Sequence, residues 1–183
     1  MSRLDSAIRR LQAQRACLNL AAGLVRELDG CVLELGLGNG RTYDHMREIL
    51  PDREIFVFEL AVAAHPDCIP DTRHLILGDV RETLGQAAAW LSGRAVLVHC
   101  DIGTGEQDYN ARLAARLATL LPPLLATGAI IASDQVIPFA EAEVLALPAD
   151  VSPGRYSLCR WPGSGERPTG QPAGDSDESN RRS

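Results

Sequence analysis

From Ser2 to Leu28 the apolar residues Leu4, Ile8, Leu11, Leu18, Val25 and Leu28 recur at helical spacing, which predicts one long helix or two shorter ones parted near Gly23. Asp29-Gly30 stops that pattern. Cys31 to Leu35 is then a short apolar run that enters Gly36-Leu37-Gly38-Asn39-Gly40 without a spacer, as a buried strand running into a glycine loop does. Thr42 to Leu50 has helical character up to Pro51, and Glu54 to Leu60 is a second strand rich in aromatic and β-branched residues. Residues 31–60 therefore give a strand, a glycine loop, a helix and a strand, which is a βαβ unit.

The alternation continues with a strand over His74 to Leu77, a helix over Arg81 to Leu91, a strand over Ala95 to Cys100, a long helix over Glu106 to Leu125 and a strand over Ala129 to Ala132. Near-continuous apolar strands separated by helices predict an α/β fold: a Rossmann-like, doubly wound, mostly parallel sheet with helices on both faces. Beyond Asp134 the pattern changes to two extended runs, Glu143 to Leu147 and Tyr156 to Trp161, which read as a C-terminal antiparallel hairpin. Residues 162–183 contain no large apolar side chain, so burial cannot offset their ordering entropy and a disordered tail is expected. Residues 1–161 are read as one domain.

Composition changes this picture in three ways. All 18 basic residues are arginine, which excludes a phosphate-loop lysine and a Schiff-base lysine together with the chemistries built on them; an arginine-only basic set also points to a GC-rich bacterial genome. The five cysteines, Cys17, Cys31, Cys68, Cys100 and Cys159, form no CxxC pair and no zinc-ligand ladder, so reduced and mostly buried thiols are expected. A net charge of −6 gives no general attraction to nucleic acid. No apolar run is long enough for a membrane span and the N-terminus is broken by arginines, so neither a membrane nor a nucleic-acid partner is expected, and the cytoplasm is the expected location.

The chemistry gathers at Glu34-Leu35-Gly36-Leu37-Gly38-Asn39-Gly40. Glycine lets the backbone turn sharply and lets a ligand approach the main chain with no Cβ in the way. Dinucleotide enzymes favour GxGxxG, whose third glycine would fall at position 41, and Arg41 stands there instead. Glu34 adds a carboxylate before the loop, placed to act on a cationic amino group directly or through water.

With these residues in order, the chain resembles the class I S-adenosylmethionine-dependent methyltransferases over residues 31–135, and among them the compact bacterial members without large insertions. The resemblance implies S-adenosylmethionine as cofactor, held by Glu34, Gly36, Gly38, Asn39, Gly40, Glu59, Asp79 and Asp101. Glu59 would accept from the ribose hydroxyls, Asp79 would meet the adenine amino group, and His99-Cys100-Asp101 would face the methyl group and its acceptor, with His99 and Asp101 as candidate bases. Asp79 also fits a second role as the cap of the helix after it. Tyr109 is expected to shape the acceptor pocket, and Arg15 and Asn19 mark the part of the N-terminal helix that would close over the cofactor.

Asp101, Tyr109-Asn110, Asp134 and Gln135 also look like the cation-dependent O-methyltransferases of the catechol type, in which acids at these two strand ends hold a divalent metal. Asp101, Asp134 and Gln135 are the candidate metal ligands on that reading. Gln135 replaces the asparagine of that pattern and no lysine follows Asp101, so a divalent cation is not the expectation. The expected partner is a small-molecule acceptor, since few residues lie outside the core fold; a homo-oligomer through the N-terminal helix or the hairpin is compatible with so compact a chain. Two other functions use the same loop: an NAD-linked oxidoreductase, and a noncatalytic protein that binds adenosylmethionine or serves assembly.

Overall fold

The computed structural model describes residues 2–163; the tail beyond them, where disorder is expected, lies outside the described residues. The chain begins with α1 (Arg3–Leu24), a single helix that runs through Gly23. Ser2 starts it with a reciprocal cap: its hydroxyl accepts from the Asp5 N–H at 3.0 Å and its own N–H donates to the Asp5 carboxylate at 3.1 Å. The last turn of α1 carries no basic residue. Arg53 serves its end instead, donating to the carbonyls of Val25, Arg26 and Gly30 at 3.1 Å each.

Five strands form the parallel part of the sheet: β1 (Cys31–Leu35), β2 (Ile55–Glu59), β3 (Leu75–Leu77), β4 (Ala95–Cys100) and β5 (Leu125–Ser133). Between them lie α2 (Arg41–Ile49), a 3-10 turn at Pro66–Cys68, α3 (Val80–Leu91) and α4 (Gln107–Leu120). β6 (Glu143–Val144) and β7 (Ser157–Arg160) complete a seven-stranded sheet in the order β3-β2-β1-β4-β5-β7-β6. β7 runs antiparallel to both β5 and β6, as the expected terminal hairpin requires. The chain builds outward from β1 to β3 and then returns to place β4 on the other side of β1. Crossovers leave in opposite directions at that point, and a crevice opens at the strand carboxyl ends.

The sheet is buried on both faces because helices cover both. On one face Leu33, Leu35, Phe58, Val98 and Cys100 pack with Leu84 and Leu91 of α3 and Leu113 and Leu117 of α4. On the other, Val32, Val57, Leu97 and Ile130 pack with Cys17, Leu18 and Ala21 of α1 and with Tyr43 and Met46 of α2. Every residue of β1 and β4 is therefore buried, including the polar Glu34 and His99.

Some boundaries differ from the sequence expectation. α4 stops at Leu120 rather than Leu125, because Pro122 and Pro123 have no N–H to continue the helix and form a 3-10 turn, Pro122–Leu124. β5 accordingly starts at Leu125, ahead of the expected Ala129. β6 is also shorter than the run from Glu143 to Leu147, since Pro148 follows closely and the strand pairs on one side only. Four cysteines are buried as expected, Cys68 is half-buried, and all five are free thiols.

Candidate functional site

The glycine loop leaves β1 at the carboxyl edge of the sheet, beside the ends of β2 and β4. Gly36 has a φ of 90°, and a Cβ there would meet the Ile102 side chain at 2.4 Å, so only glycine fits against the loop that follows β4. Gly38, with a φ of 52°, faces open space instead: nothing lies within 4 Å of where its Cβ would be. The loop is thus tight on its inner side and open on its outer side, which is the form of a cradle for a ligand.

Glu59 ends β2 and grips this loop. One carboxylate oxygen accepts from the N–H of Leu37 at 2.7 Å and of Gly38 at 3.1 Å; the other accepts from Leu60 at 2.7 Å and Ala61 at 3.1 Å. Burial, the largest single influence on Glu59, works to raise its pKa, but the four backbone donors outweigh it and hold the carboxyl below its ordinary value. Glu59 therefore stays ionised at the rim of a cavity of about 340 Å³ that Gly36, Gly38, Asp79, Asp101 and Tyr109 also line. Asp79 caps α3 by accepting from the Arg81 N–H at 2.8 Å, and its carboxylate also accepts from the Arg81 guanidinium. That hydrogen bond, with the backbone one, pushes its pKa down to about 2.

A second cavity of about 220 Å³ lies on the other side of the loop, between Arg10, Leu11 and Gln14 of α1 and Gly36 to Asn39. Asp101, just past β4, belongs to both cavities. Arg10 donates to its carboxylate at 3.1 Å, and Gln14 donates to the same oxygen. Asp134, just past β5, lies beside it. Burial first, then the Asp101 charge and a hydrogen bond between the two carboxyls, raise the Asp134 pKa to about 6. The loop after Asp101 is fixed from two sides. Gly103 passes so close to Asp134 that a Cβ would lie 2.4 Å from its carboxylate, and the Asn110 side chain bonds both the N–H and the C=O of Thr104, at 2.8 and 2.7 Å.

Beneath this floor runs a buried polar chain. Thr42, in the first turn of α2, donates to Glu34 at 2.5 Å; Glu34 bonds the His99 ring at 2.6 Å; the other ring nitrogen of His99 bonds the Tyr156 hydroxyl. Burial works against a charge on His99, but the Glu34 carboxylate overcomes it and raises the histidine's pKa. The interior thus holds a hydrogen-bonded histidine–glutamate pair, and both ring nitrogens of His99 are engaged.

A family model described as S-adenosyl-L-methionine methyltransferase matches residues 1–161. The chain belongs to that family. A crystal structure of an S-adenosyl-L-methionine methyl transferase from Silicibacter pomeroyi DSS-3 is 45% identical, with a TM-score of 0.83 over 87% of this chain and 98% of the other. Two more distant structures share the fold. A methyltransferase named yhhF from Escherichia coli is 15% identical with a TM-score of 0.58 over 81% and 85% of the two chains. An O-methyltransferase family protein from Burkholderia thailandensis is 14% identical with a TM-score of 0.51 over 89% and 59%. A comparison with curated protein sequences found no match.

The residues of this methyltransferase fit the cofactor that its family implies. The loop is open at Gly38, an ionised acid is held at the end of β2, and a second low-pKa acid lies at the end of β3. Of the residues expected from sequence, the structure brings Gly36, Gly38, Asn39, Glu59, Asp79, Asp101 and Tyr109 to the two cavities. It places Glu34 and His99 within the sheet, fully buried and bonded to each other, and Gly40 at the head of α2, where a Cβ would strike Cys68 at 2.4 Å. Asn19 turns to His45 at 2.8 Å, so the part of α1 that reaches the site is Arg10 and Gln14 rather than Arg15 and Asn19. Gln14 left a readable signal, a polar side chain at a buried position of the apolar face. Thr42 and Tyr156 left none.

The metal candidates Asp101, Asp134 and Gln135 stand just past the ends of β4 and β5. Arg10 and Gln14 take one oxygen of Asp101, while Asp134 Oδ1 and Gln135 Nε2 are buried without a hydrogen-bond partner among the described residues. Among the described residues no group of three or more His, Cys, Asp or Glu side chains suits a metal ion.

Proposed function

We propose that this methyltransferase passes a methyl group from S-adenosylmethionine to a small-molecule acceptor at Asp101, without a divalent metal. The observation that carries this reading is the position of Asp101 at the junction of the two cavities. The larger cavity has the acids suited to an adenosine: Glu59 for the ribose hydroxyls and Asp79 for the adenine edge. The smaller has α1 as its outer wall and receives the reacting end of the cofactor with the acceptor.

S-adenosylmethionine supplies an activated methyl on a sulfonium, so the protein's task is mostly placement. The open face of the loop at Gly38 and the Glu59 carboxylate would orient the bound molecule. Arg10 and Gln14 hold Asp101 in one geometry, and Asp134 stands beside it at the end of β5. An acceptor hydroxyl or amine that must lose a proton gives it to the Asp101 carboxylate. His99 acts as a positioning residue: through Glu34 and Thr42 it joins the floor of the site to the start of α2.

The test is turnover to adenosylhomocysteine across a panel of small hydroxyl and amine acceptors, with and without EDTA. Once an acceptor is found, Asp101→Asn should lower kcat by about 10²-fold or more while cofactor affinity changes little, and EDTA should have no effect. Loss of activity in EDTA, or full activity in Asp101→Asn, would refute the reading.

A further inference from the structure

The first half of α1 is exposed along its length, although Arg10 reaches Asp101 and Leu11 borders the smaller cavity. Residues 3–12 are exposed, and burial begins only at Ala13 and Gln14. Ten helical residues at ~1.5 Å each make an arm of about 15 Å, and a helix that short is marginal in water on its own. Leu4, Ile8 and Leu11 fall at i, i+4 and i+7 on one side of it, all exposed, with Leu4 at 68%. An apolar stripe that continues past the end of the body it packs on calls for a further covering surface.

Charge indicates what covers it. Residues 1–15 carry Arg3, Arg9, Arg10 and Arg15 against the single acid Asp5, whereas residues 16–163 carry eleven arginines against nineteen acids. Two arms laid together would oppose like charges, but an arm laid on the acidic body of another copy is complementary to it. The segment 136–144 offers both chemistries together: Val136 and Val144 are 72% and 83% exposed, beside the exposed Glu141 and Glu143.

We infer that a second copy of this chain covers the arm, the Leu4-Ile8-Leu11 face of one copy seating on segment 136–144 of the other. In a twofold dimer the contact is made twice. The arm continues directly into the wall of the smaller cavity, where Arg10, Leu11 and Gln14 face the glycine loop, so docking also fixes the residues that clamp Asp101. This last consequence rests on the methyl-transfer reading; the association does not.

Sedimentation velocity of the full chain over a concentration series tests the contact without cofactor or turnover. The wild type should form a dimer that weakens as salt is raised, and the double variant Leu4→Glu, Ile8→Glu, which touches neither cavity, should sediment as a monomer with an unchanged thermal melt. Arg9→Glu should weaken the dimer at least tenfold, and adding Glu141→Arg should restore most of it. A wild type that is monomeric throughout, a double variant that still dimerises, or a charge exchange that restores nothing would each overturn the inference. Failure here leaves the cofactor reading intact, and failure to bind the cofactor leaves this contact intact.

Discussion

Three of the carboxyls around the cleft are tuned by different neighbours. Glu59 is held ionised by backbone N–H groups and Asp79 by Arg81, whereas Asp134 is pushed towards its neutral form by burial and by Asp101. For Asp134 the folded pKa lies above the ordinary carboxyl value, so the folded protein binds that proton more tightly than the unfolded chain does. The stability it contributes is complete below the unfolded pKa and is lost as pH rises through about 6. Asp134→Asn keeps the shape and a donor towards Asp101 but carries no charge at any pH. Thermal unfolding should show the variant gaining on the wild type between pH 5 and pH 8, by about 1–2 kcal/mol after allowance for partial contact with water. A difference that stays constant with pH would mean that Asp134 is not the titrating group.

Among the elements, the buried chain Thr42-Glu34-His99-Tyr156 joins α2, β1, β4 and the start of β7. Removing one end and removing the middle have different costs. Tyr156→Phe leaves one His99 nitrogen unpaired and should cost about 1–3 kcal/mol. His99→Leu leaves the Glu34 carboxylate buried with only Thr42 and should cost about 3–5 kcal/mol. Denaturant melts of the two variants check this order, and equal losses would show that the histidine–glutamate pair carries no special weight.

These same residues mark how far the sequence could be read. The strand–loop–helix order, the glycine loop and the acids at 59, 79 and 101 were legible because strand ends and turns leave local signals. His99 and Glu34 read equally well as site residues, since both stand near the end of a central strand. What separates them from Asp101 is burial by α1 and by the C-terminal strands, which depends on packing between segments far apart in sequence. The engagement of Arg10 and Gln14 with Asp101, 91 and 87 positions away, is hidden for the same reason. The shortened α4 was legible in principle, because Pro122 and Pro123 stand inside the predicted helix.

At the scale of the whole molecule, the sheet order opens a crevice at the carboxyl edge between β1 and β4, where the glycine loop, Glu59 and Asp101 converge. The described residues also enclose a wider hollow of about 800 Å³ at the amino-terminal side of β1, lined by Asn19, Arg26, Gly30 and Arg53. Volume alone would favour it. It contains none of the glycine-loop residues, and Arg53 there is spent on backbone carbonyls, so a variant in that hollow such as Arg26→Ala should leave cofactor affinity unchanged.

The most direct test of the account is isothermal titration of the protein with adenosylmethionine, adenosylhomocysteine and NAD, repeated with Glu59→Ala. The account predicts that both adenosyl ligands bind, that NAD does not, and that the substitution weakens the adenosyl ligands at least tenfold, about 1.4 kcal/mol. Binding of NAD in their place, or adenosyl binding that is indifferent to Glu59→Ala, would contradict it.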